Sequence, residues 1–79
     1  MPRFYFHLRN DLSVDDEEGT ELPDLDAAHR RATDYAIDMA AASVRERCEL
    51  NLRHRIEVGD ESGGIVLTVT FGDAVTVRG

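Results

Sequence analysis

The chain has 79 residues and a formal net charge of −7, from sixteen Asp and Glu against nine Arg and no Lys. A domain of this size buries roughly 60–65% of the surface its unfolded chain exposes, and so thin a core is often supported by a disulfide, a metal or a second subunit. A lone cysteine excludes an internal disulfide, no Cys/His cluster suggests structural zinc, and the negative charge disfavours nucleic acid, whose affinity for proteins comes mostly from phosphate neutralisation.

The charge is uneven. Residues 1–26 hold eight acids and two arginines, whereas residues 27–58 hold five acids and six arginines. No apolar run approaches the ~18–20 residues of a membrane span, and no basic-then-apolar leader opens the chain. The expectation is a soluble, cytoplasmic protein without a membrane contact, one that pairs with a second copy or suits a basic protein partner.

Residues 3–9, RFYFHLR, alternate: Phe4, Phe6 and Leu8 share one face, and Tyr5, His7 and Arg9 the other. This predicts a strand, followed by a turn at Asn10-Asp11 and a short extended piece at 12–14. The run Asp15-Asp16-Glu17-Glu18-Gly19 comes next, then a second short extended piece at 20–22. Consecutive carboxylates point alternately to opposite sides, and Gly19 follows the cluster instead of sitting inside a calcium loop. The run therefore reads as a wet acidic turn whose four side chains share the same surroundings, and neutralising it should change stability little.

Pro23 pushes Leu22 toward extended geometry, and Asp24 is placed to cap a helix by accepting from the free amides of its first turn. Residues 25 to about 49 contain no Gly or Pro. Leu25, Ala28, Ala32, Tyr35, Ala36, Met39 and Ser43 fall on one face, opposite Arg30, Asp34, Asp38 and Arg45, so a long amphipathic helix is predicted. Cys48 lies on its outer side, where a thiol without a base or orienting group reads as free and incidental, with an intermolecular disulfide as the alternative. His29 sits on the flank of the stripe, and no two histidines have the i, i+4 spacing of a helical metal site.

Residues 53–58 and 65–71 alternate around the turn Gly59-Asp60-Glu61-Ser62-Gly63-Gly64 and predict a β-hairpin. Ile56 and Val58, with His54 in phase, face inward, as do Ile65, Leu67, Val69 and Phe71. That turn lacks the Lys-Ser/Thr and helix context of a phosphate loop. The concentration Arg45, Arg47, Arg53, His54 and Arg55 is interleaved with Glu46, Glu49 and Glu57, which reads as a salt-bridged surface, the alternative being a shallow anion or RNA contact on the sheet edge. The tail after Phe71 is expected to fray or to add an edge segment.

Together these elements predict a single α+β domain over residues 1–79: two layers, a small antiparallel sheet of three to four strands in β-β-α-β-β order, and one long helix packed on one face. The other sheet face stays uncovered. Tyr5, His7, Arg9, Arg55, Glu57, Thr68 and Thr70, with Val66, are expected there and form the candidate partner-contact face.

The segments MPRFYFHLRN, DEEGTELPDLDAA, RIEVGDESGGIVLTVTF and the closing DAV, in that order, resemble a family of short uncharacterised bacterial proteins classed as a domain of unknown function. The resemblance spans nearly the whole chain and implies no catalytic or ligand-binding residue. The aromatic first strand, acidic-Gly turn, hydrophobic-Pro segment and Ala-rich helix are also similar to HicB-type antitoxins. The Gly-Cys and the extra strand before the antitoxin helix are missing, as is a C-terminal DNA-binding segment. The expected function is non-enzymatic: protein–protein contact or homodimerisation, with no cofactor, no metal and no catalytic residue. The alternative is an antitoxin-like module that neutralises a basic partner such as a small RNase. An enzyme would need a convergent polar constellation that these residues do not supply.

Overall fold

A computed structural model describes residues 1–79. The chain runs β1 (Arg3–Arg9), β2 (Ser13–Val14), β3 (Thr20–Glu21), α1 (Leu25–Arg47), β4 (Arg55–Gly59), β5 (Ile65–Thr70) and α2 (Phe71–Ala74). All pairings are antiparallel, in the spatial order β2-β1-β4-β5, with β3 also on β1. The α+β architecture with one long helix over an antiparallel sheet is as the sequence predicts. Both short extended pieces join the sheet, raising the strand count from the expected three or four to five.

β1 is central to the fold, because its alternation sends Phe4, Phe6 and Leu8 into the core. The turn after it is closed by the Asn10 side chain, whose Oδ1 accepts from the Leu12 amide at 2.9 Å. β2 and β3 then run back along the same edge of β1: Leu8 faces Val14 and Phe4 faces Thr20. Six steps from Val14 to Thr20 stand opposite four from Leu8 to Phe4, so they are one strand interrupted by a loop with two extra residues.

Asp24 caps α1 as expected, its Oδ1 accepting from the Ala27 amide at 2.8 Å. The buried stripe is narrower than predicted: Ala28, Ala32, Ala36 and Ala40 are buried, while Leu25 and Tyr35 are exposed. An alanine ridge at i, i+4 spacing lets the helix backbone settle close to the sheet, and larger side chains in that line would hold it off. Met39 and Ser43 stay at the margin of the contact. The helix ends at Cys48, which takes the left-handed conformation (φ 54°) and donates its N–H to the Val44 carbonyl.

β4 begins two residues later than predicted and carries Ile56 and Val58 fully into the core. In β5, Val69 is buried, but a bulge at Val58/Gly59 takes Ile65 out of phase, and it lies half exposed opposite Gly59. The expected extension of β5 through Phe71 is replaced by α2. Thr70 Oγ1 accepts from the Asp73 amide and Asp73 Oδ2 from the Thr70 amide, both at 3.0 Å, a reciprocal box that turns the chain into a helical turn. Phe71 still reaches the core, beside Ile56, Val58 and the alanine ridge.

Candidate interaction face

The cross-strand register places the candidate residues in rows on the sheet face away from α1. His7 stands beside Glu57 and Glu57 beside Thr68; Arg9 stands beside Arg55 and Arg55 beside Thr70. Tyr5 heads a third row with Gly59. Val66 falls at the bulge, at the exposed rim.

The charged members of this face are engaged with one another. Glu57 accepts from Arg9 Nε at 3.0 Å and from Arg55 Nε at 3.1 Å. Burial pushes the Glu57 carboxyl up, but the bonds and charges of Arg55 and Arg9 outweigh it and hold the group below its ordinary range. Arg9 reaches a second carboxylate, Asp15, at 2.7 Å. His7 Nδ1 accepts the Asp16 backbone N–H at 3.1 Å and lies 3.7 Å from Asp15 Oδ1. This row is a finished network rather than a set of free ligating groups.

The acidic run departs from the sequence expectation. Its four carboxylates do not share one wet environment. Asp16 Oδ2 accepts from the Phe6 amide and Oδ1 from the amides of Glu18 and Gly19, each at 3.1 Å. Burial raises the Asp16 carboxyl, yet the three backbone donors, Gly19 first, overcome that and leave it lower than an ordinary aspartate. Asp15 is held by Arg9, whereas Glu17 and Glu18 are exposed. Asp16 thus fills the gap between β2 and β3 with a side chain where a strand would have supplied a carbonyl.

Gly19 makes that turn feasible. Its φ is +73°, and a Cβ there would meet Arg3 Cγ and Tyr5 Cε2 at 2.8 Å and the Phe4 carbonyl at 3.0 Å. Positive φ and close approach together require glycine.

The other singled-out residues lie apart from this face. His54 is largely buried with its ring edge-on to Phe71, centroids 5.6 Å apart, and its Nε2 lies 3.5 Å from Asp11 Oδ1. Arg47 meets the same Asp11 carboxylate, also at 3.5 Å, while Cys48 is an exposed free thiol. Of the basic concentration, Arg47 and His54 meet Asp11 and Arg55 meets Glu57, while Arg45 and Arg53 form no ion pair. No group of three or more His, Cys, Asp or Glu side chains is arranged to hold a metal ion, and no helix is long and apolar enough to cross a membrane.

Two features escaped sequence reasoning. An apolar groove runs between the outer flank of α1 and the tail, lined by Ile37, Ala41, Val44, Leu50, Val75 and Val77. The spacing of Ile37, Ala41 and Val44 is visible in the sequence, but only the path of the tail makes them a groove. The second feature is the unequal treatment of the two sheet edges.

The fold and face define a small two-layer α+β domain with a long alanine-ridged helix and an internally paired polar sheet face. The family model described as Domain of unknown function (DUF6894) matches residues 3–72, and the chain belongs to that family. No curated protein and no solved structure matches it.

Proposed function

We propose that this protein is a non-catalytic interaction module that works through protein–protein contact, first of all with a second copy of itself. The observation that carries the reading is where apolar side chains remain exposed. Ile37, Val44 and Val77 line the groove, and Ile65 and Val66 lie at the rim of β5. On a chain this small such side chains mark contact surface, while the polar groups best suited to chemistry are already bonded to each other. Light scattering on the eluting protein across a wide concentration range tests the reading. A growing species of twice 8.8 kDa is expected, and a constant 8.8 kDa at every concentration and salt overturns self-association.

The second reading is an antitoxin-like module of bacterial, cytoplasmic setting that neutralises a basic protein such as a small RNase. It is favoured by the net charge of −7 and by Glu17, Glu18 and Asp26, which have no cationic partner within the chain. Salt separates the two. Attraction to a basic protein weakens as salt rises, whereas association of two acidic copies strengthens.

A further inference from the structure

We infer that two copies pair antiparallel through β5, about a twofold axis at Thr68, to make one continuous sheet. This rests on the reading of the protein as a self-associating module and names the surface that does it.

The direction of the backbone groups comes first. The Phe71 amide donates to the His54 carbonyl at 2.7 Å. In an antiparallel pair, bonded and non-bonded residue pairs alternate. Ile56 with Val69 and Val58 with Leu67 therefore exchange bonds, and the N–H and C=O of Thr68 and Thr70 point away from β4. Carrying the alternation across to β1 sends the Phe6 amide to the opposite edge, which is where it is found, on Asp16.

The open groups come next. Asp73 takes the Thr70 amide, so Thr68 presents an N–H and a C=O with no partner beyond β5. Such an edge accepts an extended strand unless charge, proline or a covering loop prevents it. None does so here: residues 62–72 are the longest stretch of the chain without a charge and contain no proline.

That stretch also argues for a second copy as the occupant. Two chains of net charge −7 repel, and they meet at least electrostatic cost where neither carries charge. An axis at Thr68 sets Thr68 against Thr68, Leu67 against Val69 and Val66 against Thr70. No residue of β5 is charged, so no acid faces an acid across the axis. Leu67 and Val69 extend the apolar inner face into the partner, and the outer face gains β-branched pairs. The pairing is small, hence weak and dependent on concentration.

The test uses the full chain. Wild type is expected to shift from monomer to dimer with rising concentration, more readily at high salt, with the Thr68 amide exchanging more slowly as dimer forms. Thr68→Pro removes an N–H that the β4 ladder does not use, so the monomer keeps its bonds while dimerisation falls at least tenfold. Thr68→Glu and Thr68→Lys should each be monomeric alone and recover a dimer when mixed, which a folding defect would not produce. If wild type dimerises and all three variants dimerise equally well alone, the edge is refuted and the interaction reading survives. If wild type stays monomeric at high concentration and high salt, both fall. A β5 edge that pairs only with strands of other proteins overturns the second copy as occupant.

Discussion

β1 and β5 lie on either side of β4, and the chain treats their outer edges differently. Along β1, Leu8 is paired with Val14 and Phe4 with Thr20, and the Phe6 amide between them is met by Asp16. Along β5, Asp73 covers the Thr70 amide and nothing in the chain covers Thr68. One edge is closed by a returning strand, a carboxylate and a glycine; the other is closed only at its end. A sheet needs every interior polar group matched but tolerates water at an edge, so an unguarded edge is a place where association costs little. The acidic loop thus guards an edge.

Opening the closed edge should give the largest effects. Gly19→Ala forces a non-glycine residue into positive φ and drives its Cβ into the Phe4 carbonyl, and should destabilise the fold by about 2–4 kcal/mol in urea unfolding. Association that no longer depends on Thr68 should appear with it, because β1 is then exposed; if Gly19→Ala is as stable as wild type, the guarding role of the loop is wrong. Asp16→Ala strands three backbone donors and should cost about 2–3 kcal/mol.

The cost of Asp16→Ala should depend on pH in one direction. The Asp16 carboxyl is depressed in the folded state, so its contribution is complete above the ordinary aspartate range, near pH 4, and is lost as pH falls through the lowered folded value. Wild type and variant should therefore converge in stability in strong acid. A gap that stays constant from neutral pH to strong acid would show that the carboxylate charge is not what matters.

Substitutions away from both edges should leave association unchanged. Asp24→Ala removes the helix cap and should cost about 0.5–2 kcal/mol with the dimerisation constant unchanged. Cys48→Gly should stabilise the fold by about 0.5–1 kcal/mol, since glycine takes the left-handed conformation without the penalty a side chain carries. A changed dimerisation constant in either variant would mean that association involves α1, and the groove beside Ile37 and Val44 would replace β5 as the contact.

Much of the architecture was legible because it is periodic. The two-residue repeat of 3–9 puts Phe4, Phe6 and Leu8 inside, and the alanine spacing with Pro23-Asp24 in front marks the helix and its cap. The candidate face was legible for the same reason, since residues two apart on a strand share a side. The capping box at Thr70 and Asp73 is also a local spacing, masked by the apolar alternation that runs through it to Phe71. The bulge that displaces Ile65 has no signal in β5 alone; it is a mismatch between two strands.

Neighbouring residues and the fixed geometry of strand and helix are enough for the class of fold, the inward and outward faces of β1 and β4, and the start of α1. That Asp16 differs from Asp15, Glu17 and Glu18 follows from contacts made across the fold. Four adjacent carboxylates look alike until one of them is brought against an amide ten residues away, and that distance is closed by strand pairing rather than by local preference. The same pairing settles which edge is shut and which is open.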